Sequence, residues 1–433
     1  MMRLFQNLYR GCLHPPALRR WGEVLLRMRG LRRNALPFQI PNLKNVLVVR
    51  LDEIGDVVMT STLLRELRRN LPDAWIPLVT NPRTKKRVER CPYVNEVLEF
   101  VASTKPPLGR LRGILQCLRF SRRHLWRRHF DLAIQPRYHA DQGCASVLAY
   151  FSGASFRAGY SERVDTDKTR CNADYSHFYT HIYADTQYAH EVQRNLELLR
   201  FLGLEVQQEH MELWTDEHDA AAAKRFLIER NMRDSDALIA LCPTGSRPFR
   251  IWPVERYLDL TKWLLEHYPV QIMIVGGPGD IELAEKFRNI DKARVHSSAG
   301  CPLRELGALL KHCRLYIGNN TGPCHMAAAA GIPVVQISPC PREGNAFVGE
   351  SPLSFGPWGV KSRTIQPEIP CEREADGSFA YSPKYIQSVP TASVQKAVEE
   401  MLEELLVKPS QPGERPATAA SDTESLEFPK PCS

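Results

Sequence analysis

From Asn45 onward, short unbroken apolar runs alternate with longer stretches in which apolar residues recur every three or four positions. Runs of the first kind predict strands buried on both faces. Stretches of the second kind predict helices packed over them, so the alternation calls for parallel sheets. Residues 46–49 are apolar and mostly β-branched and read as a central strand, after which Gly55 and Asp56 lead into a helical pattern ending at Leu71. Residues 75–79 and 97–101 read as the next strands, separated by a short helix at 85–89. A basic helix over 109–129 then leads to a strand at 130–134 and a helix at 141–151. Residues 160–188, rich in Asp, Tyr and His, read as irregular.

Helices at 190–202 and 216–231 precede a second series. Its strands fall at 237–241, 271–275, 315–317 and 334–337, with helices near 254–267, 281–288, 302–312 and 324–330. Thr391 or Ser393 caps a last helix reaching Leu406. The pattern predicts an α/β chain in four parts: a basic amphipathic leader (1–40), two Rossmann-like domains (41–205 and 206–407) and a disordered tail (408–433). The 433 residues are enough for two separate cores. Two doubly wound domains place ligands in the cleft outside the carboxyl ends of their strands.

Charge adds a direction to this picture. Arg3, Arg10, Arg19, Arg20, Arg27, Arg29, Arg32 and Arg33 face only Glu23 within the first 36 residues, and a second cluster comprises Arg110, Arg112, Arg119, Arg122, Arg123, Arg127 and Arg128. Such clusters attract anions: a phosphorylated lipid, a membrane surface or nucleic acid. No nucleic-acid motif accompanies them, so nucleic acid is set aside. In the leader, Trp21, Val24, Leu25 and Met28 recur at helical spacing against the arginines. That pattern reads either as a helix lying on a membrane surface or as one packed on the body of the protein. The apolar runs are far shorter than the roughly 20 residues of a membrane span. The 12 cysteines form no CxxC pair or metal-ligand spacing. They read as reduced core residues of a cytoplasmic protein, peripheral at most on an inner membrane.

Four loops carry candidate chemistry. Gly318 to Pro323 lies between a strand and an apolar helix, where free amides and the helix dipole suit a diphosphate; the plainer reading makes Thr321 an N-cap. The glycine turn from Gly276 to Asp280 occupies the same kind of position. The loop from Pro243 to Pro253 holds Thr244, Gly245, Arg247 and Arg250, two cations beside two hydroxyl or backbone donors, with Trp252 as an apolar plug. In the first half, Asp56 stands where a general base could reach an acceptor hydroxyl or where a carboxylate merely caps a helix, and Asp52 and Glu53 compete with it. Asp165-Thr166-Asp167 and Asp234-Ser235-Asp236 imitate a DxD metal motif without a His or Glu cluster beside them, so no metal is expected.

Three segments together, residues 46–60 (VLVVRLDEIGDVVMT), 239–257 (IALCPTGSRPFRIWPVERY) and 316–333 (YIGNNTGPCHMAAAAGIP), resemble the ADP-heptose:lipopolysaccharide heptosyltransferases, glycosyltransferase family 9. The resemblance covers roughly residues 44–400. It implies a GT-B architecture, two Rossmann-like domains with parallel sheets facing a central cleft, with acceptor bound by the first and a nucleotide-sugar donor, ADP-heptose, by the second. By the same resemblance Asp56 is the catalytic base and Arg250 contacts donor phosphate, in a place where the family usually has lysine. Thr244, Gly245, Arg247, Gly277, Gly279, Asp280, Asn320, Thr321, Gly322 and His325 surround the donor. Asn320 stands where aspartate is common, which bears on the donor sugar. Arg50, Arg119, Arg122, Arg123 and Arg137 are expected to attract an anionic, lipid-linked saccharide acceptor. The implied reaction is a single inverting displacement without metal or other cofactor. A nucleotide-sugar-binding relative without transfer activity is the alternative in another class. A nicotinamide-dependent oxidoreductase is disfavoured, because no GxGxxG opens the first helix.

Overall fold

The apolar runs form strands of two six-stranded sheets in the computed structural model, which describes residues 15–31, 38–102, 109–186, 189–232, 237–344, 349–374 and 379–406. The first sheet comprises β1 (Val46–Arg50), β2 (Pro77–Thr80), β3 (Glu96–Glu99), β4 (Leu132–Gln135), β5 (Phe156–Tyr160) and β6 (His181–Tyr183), in the order β3-β2-β1-β4-β5-β6. The second comprises β7 (Ala237–Cys242), β8 (Val270–Ile274), β9 (Val295–Ser297), β10 (Leu315–Asn319), β11 (Val334–Ile337) and β12 (Ser362–Ile365), in the order β12-β11-β10-β7-β8-β9. Adjacent strands are parallel throughout, with Val48 opposite Leu78 and Ile134, and Ile317 opposite Leu241 and Val335. Counted from its own first strand, each sheet has the same doubly wound order. Each therefore has one switch point, between β1 and β4 and between β7 and β10, where the chain leaves a crevice at the carboxyl edge.

Alternation along the central strands explains why the sheets are covered on both faces. Val46 and Val48 join one core with Leu63, Leu64 and Leu67, while Leu47 and Val49 join another with Leu148 and Phe130. The two halves share a third core, in which Val58, Met59, Val192 and Leu196 pack with Leu309, Cys324 and Ala327. The final helix, Thr391–Leu406, covers the second sheet with Val394, Val398, Met401 and Leu402.

The strands at 46–49 and 237–241 and the helices at 254–267 and 281–288 fall where the pattern put them, within a residue. Four strands do not: β5, β6, β9 and β12. β6 and β9 are three-residue strands, β6 and β12 lie on sheet edges, and β12 (SRTI) is polar, so none of the three carries an apolar run. β5 (FRAGY) is interrupted by Arg157, which is buried by donating to the carbonyls of Ala154 at 2.8 Å and Phe178 at 2.7 Å. Residues 160–188 are therefore not wholly irregular; they also hold the helix Thr166–Cys171. The helix expected over 141–151 begins at Ala145, because the Asp141 carboxylate sits ahead of it and accepts from the amides of Ala145 (3.0 Å) and Ser146 (2.7 Å). The basic helix is an α-helix, Gly109–Phe120, continued by a π-helical turn, Ser121–Leu125, and a 3-10 turn, Trp126–Arg128.

In the leader, Pro15–Met28 is a helix packed on the first half. Residues 1–14, the first-cluster arginines at 32 and 33, and the expected disordered tail lie outside the described residues. Among the described residues no helix is long and apolar enough to cross a membrane. Cys91, Cys117, Cys144, Cys242, Cys313, Cys324 and Cys340 are buried, as expected of core residues, whereas Cys171 is exposed.

Candidate active site between the two sheets

Arg50 ends β1 and is the most heavily engaged charge at its carboxyl edge. Its Nη2 lies 2.8 Å from Glu191 Oε1 and 3.2 Å from Asp56 Oδ1, and its Nε is 2.9 Å from Asp52 Oδ2. Arg50 and Glu191 are each 1% exposed. A buried charge is tolerated only with partners, and Glu191, in the first turn of the helix Glu191–Phe201, has them in Arg50 and, at 3.7 Å, Arg194. Burial works to raise the Glu191 pKa, but the guanidinium groups of Arg50 and Arg194 outweigh it and hold the carboxyl below its usual value. Asp56 goes the other way. Burial raises its pKa, Arg50 draws it down, and the Glu191 carboxylate pushes it up again, with a net rise.

Asp56 stands inside the short helix Ile54–Met59, not at its N-cap, which is Glu53. Its Oδ1 accepts from Arg50, and Oδ2 has no hydrogen-bond partner among the described residues. The carboxylate thus faces the ion network instead of capping its helix. Of its competitors, Asp52 is held by Arg50 and Arg137, and Glu53 is 64% exposed and loosely paired with Arg83.

The loop after β4 completes the first side. Arg137 binds Asp52 and donates to the carbonyl of Ala140 at 2.6 Å. His139 Nδ1 lies 2.7 Å from Asp165 Oδ2 and its Nε2 lies 3.1 Å from Arg194 Nη1. Burial opposes it, yet the His139 hydrogen bond brings the Asp165 pKa down to about 2. Asp165 therefore has a histidine beside it, contrary to the sequence expectation. It also caps the helix Thr166–Cys171 through Lys168 N at 3.0 Å, a structural role for this half of the DxD pattern. The other DxD triplet falls outside the described residues. The three-residue metal-capable group found among the described residues is Asp216, His218 and Asp219, and Asp216 and Asp219 are engaged in reciprocal capping.

Across from this network, Asn319 ends β10 and is fully buried. Its Oδ1 accepts from Trp252 N at 3.1 Å and Tyr257 Oη at 2.9 Å, and its Nδ2 donates to Thr244 O at 3.2 Å. One amide thereby fixes the β7 loop against the β10 loop. Trp252 is the plug that the sequence led us to expect, 0% exposed, with Nε1 donating to Val389 O at 3.0 Å. Arg250 projects from a 3-10 turn, pairs with Glu350, and keeps a buried Nε without a hydrogen-bond partner. Arg247 is exposed. Thr321 occupies the N-cap position of the helix Gly322–Ala329 without capping it; its hydroxyl faces the Asn319 carbonyl at 3.4 Å. The plain N-cap reading of Thr321 thus fails for its side chain; only its backbone carbonyl serves the first turn, accepting from Cys324 N at 3.0 Å and His325 N at 3.4 Å. Asn320 is 4% exposed.

Two helix starts meet where the halves face each other. A Cβ on Gly55 would lie 2.6 Å from His325 Cδ2, and one on Gly322 would lie 2.9 Å from Ile54 Cβ, so both glycines are required by this close approach. His325 is buried, with an unpartnered Nδ1, and burial, then His190 and Arg250, lowers its pKa to about 3, so the ring is neutral at pH 7. His190 ties the halves from below: its Nε2 lies 3.0 Å from the Gly356 carbonyl and its ring stacks on Trp358 at 4.6 Å.

Arg50, Asp56, Arg137, Thr244, Gly245, Arg250, Asn320, Thr321, Gly322 and His325 all lie on the strand ends, loops or first helical turns at the two switch points. The turn with Gly277, Gly279 and Asp280 follows β8, one strand away, and Asp280 is engaged within it, accepting from Gly277 N at 2.7 Å. Arg119, Arg122 and Arg123 are exposed on the basic helix, and no contact among the described residues joins them to the network around Asp56. Sequence reasoning gave no role to Glu191, His139, Arg194, Asn319 or Glu350. A cavity of about 450 Å³, lined by Tyr138, Tyr160, Tyr183, Gln193 and Arg194 among others, lies against β5, β6 and the helix Glu191–Phe201.

Two parallel sheets of identical winding, with their switch-point loops in contact, are a GT-B architecture. The chain belongs to glycosyltransferase family 9 (heptosyltransferase), whose sequence model matches residues 119–376; Arg250 and His325 lie within that span and Asp56 precedes it. It is similar to lipopolysaccharide heptosyltransferase 3 of Escherichia coli K12, 24% identical over 366 residues that cover 81% of this chain and 96% of that one. It also resembles lipopolysaccharide heptosyltransferase 2 of the same strain, at 22% identity over 82% of this chain and 97% of that one. Among solved structures, a family 9 glycosyltransferase from Veillonella parvula shares the fold with a TM-score of 0.67 at 21% identity, covering 86% of this chain and 100% of its own. E. coli ADP-heptose LPS heptosyltransferase II does so with a TM-score of 0.60 at 19% identity, covering 83% and 99%.

Proposed function

We propose that the chain transfers a heptose from ADP-heptose to a hydroxyl of an anionic, lipid-linked lipopolysaccharide core acceptor, with inversion and without a metal ion. The observation that carries this reading is a cluster of buried, unpartnered nitrogens around Asp56: Arg50 Nη1, Arg250 Nε and His325 Nδ1. Buried polar atoms are almost always paired, so such a group at facing strand ends marks donors and acceptors kept for a ligand. Names of relatives agree, since solved neighbours of this fold include E. coli heptosyltransferase WaaC with ADP.

In this mechanism the acceptor oxygen attacks the anomeric carbon of the donor as its proton passes to Asp56 Oδ2. The bond from that carbon to the diphosphate oxygen breaks on the opposite face, and ADP leaves. Arg250, the Gly322 amide and the positive end of the helix Gly322–Ala329 receive the charge that grows on the diphosphate. The raised pKa of Asp56 suits a base, because it strengthens the carboxylate's affinity for the proton it takes. Arg50 and Arg137 supply positive charge on the acceptor side. The cytoplasmic face of an inner membrane is where such an acceptor would be met.

Incubation with ADP-heptose and a heptose-free lipopolysaccharide core tests the proposal. ADP release that requires both substrates, persists with chelator and gives a product of opposite anomeric configuration is expected. Absence of release with both substrates would refute it. A second reading changes only the donor sugar and rests on Asn320, a neutral residue where an acid is common. Faster release from another ADP-sugar is the outcome that would select it.

A further inference from the structure

The helix Pro15–Met28 is held by one face and leaves another uncovered. Leu26 is fully buried, Tyr150 Oη donates to the carbonyl of Arg19 at 2.6 Å, and a Cβ on Gly22 would lie 2.6 Å from the Tyr150 ring. Trp21, Val24 and Met28 are 74%, 55% and 81% exposed. At spacings of three and four they form one stripe, turned away from the packed face; Leu25, counted with them from sequence, is half-buried. Arg20 and Arg27 border the stripe, Arg19 is exposed elsewhere on the helix and Arg29 just beyond it, and the one acid of the helix, Glu23, pairs with Arg27 at 3.2 Å.

A second element of the same character stands on the same side of the first sheet. Gly109–Phe120 and its continuation expose Leu115 at 54%, with Arg112, Arg119, Arg122, Arg123 and Arg127 also exposed. Both elements are rooted on the helix Ala145–Phe151: Cys117 Sγ lies 3.7 Å from Cys144 O, Trp126 Nε1 donates to Phe151 O at 2.8 Å, and Tyr150 holds Arg19. None of Arg19, Arg20, Arg29, Arg112, Arg119, Arg122, Arg123 and Arg127 makes an ion pair among the described residues.

We propose that this side of the first half docks on an anionic lipid bilayer, with Trp21, Val24 and Met28 entering the headgroup boundary and the surrounding arginines meeting lipid phosphates. A solvated leader has no reason to gather three large apolar side chains into a stripe bordered by arginines, with a single acid in the whole helix. A helix in a bilayer surface needs both, apolar area for depth and cations for attraction to anionic headgroups. The packed face, fixed by Gly22 and Leu26, holds the helix to the folded body, so docking brings the whole first half with it. On the proposed reading of function, that half is the one that takes the lipid-linked acceptor.

Co-sedimentation of the full chain with vesicles that contain no saccharide tests docking separately from transfer. Vesicles of phosphatidylethanolamine with phosphatidylglycerol are compared with phosphatidylcholine alone, for the wild type, Trp21→Ser/Val24→Ser/Met28→Ser, and Arg20→Gln/Arg27→Gln. The wild type is expected to pellet with the anionic vesicles only. The apolar triple variant should partition about tenfold or more weakly, and the arginine pair about fivefold less per charge removed. All substituted side chains are exposed, so circular dichroism and melting temperature should be unchanged. Equal partition into neutral vesicles, or undiminished partition of the triple variant, overturns the proposal. So does a wild-type dimer in sedimentation velocity that the triple variant loses, since the stripe then belongs to a second copy.

Discussion

The two switch points share a fold and differ in what fills them. At β1 and β4, charge faces charge: Arg50, Asp52, Asp56, Glu191 and Arg137 form one network, most of it buried. At β7 and β10 neutral groups fill the corresponding place, with the Arg250–Glu350 pair beside them. A single amide, Asn319, ties the loops, His325 stays uncharged, and the helix beginning at Gly322 presents amides without a side-chain cap. Identical winding thus positions both loops, and the side chains at the strand ends decide the chemistry. Opposed buried charges tune a proton acceptor, whereas a helix N-terminus and one nearby arginine suit an anion.

That contrast breaks most sharply at Asp56. Asp56→Asn keeps the shape and removes the base, so kcat should fall by about 10²- to 10⁴-fold in a transfer assay; a loss below tenfold would move the base elsewhere, with Glu191 the nearest carboxylate on Arg50. Next comes the neutral side. Asn319→Ala strands Trp252 N and the Tyr257 hydroxyl and frees the Thr244 carbonyl, a cost of about 2–4 kcal/mol for buried groups left unpaired. Urea unfolding should show the loss along with weakened nucleotide binding, and unchanged stability would mean that Asn319 does not hold the β7 loop. The smallest effect sharpens the comparison. The Glu191 carboxylate raises the Asp56 pKa, so in Glu191→Gln that pKa drops. Asp56 must be ionised to act, and activity is lost as pH falls through its pKa. The acid limb of kcat/KM should therefore shift to lower pH. A limb that stays put, or moves up, removes Glu191 from the account.

Much of this was legible along the chain because the central strands are apolar on both faces. β1 and β7 sit where continuous Val, Leu and Ile runs put them, and each loop that follows begins at the run's end. Asp56, Arg250 and the Gly318 to Pro323 segment were therefore recognisable as neighbours of strand ends. Glu191 was not, because an acid in a helix's first turn usually looks like a cap, and its partner Arg50 is 141 positions away. Asn319 stood inside a quoted motif but gained meaning only through Trp252, Tyr257 and Thr244. The edge strands β6, β9 and β12 were hidden by their length and polarity. In the leader, sequence spacing found the apolar stripe but could not say which face would be packed. Gly22 against Tyr150 settles that, and it leaves Trp21, Val24 and Met28 exposed instead of covered.

The division of labour between the two sides is tested most directly by calorimetric titration of ADP into the wild type, Asp56→Asn and Arg250→Ala. Donor phosphate held by the second side predicts that Asp56→Asn binds ADP within about twofold of wild type, while Arg250→Ala binds about tenfold or more weakly, as for a lost charge-assisted contact. If Asp56→Asn lost ADP binding while Arg250→Ala kept it, the assignment of proton transfer to the first switch point and anion binding to the second would be contradicted.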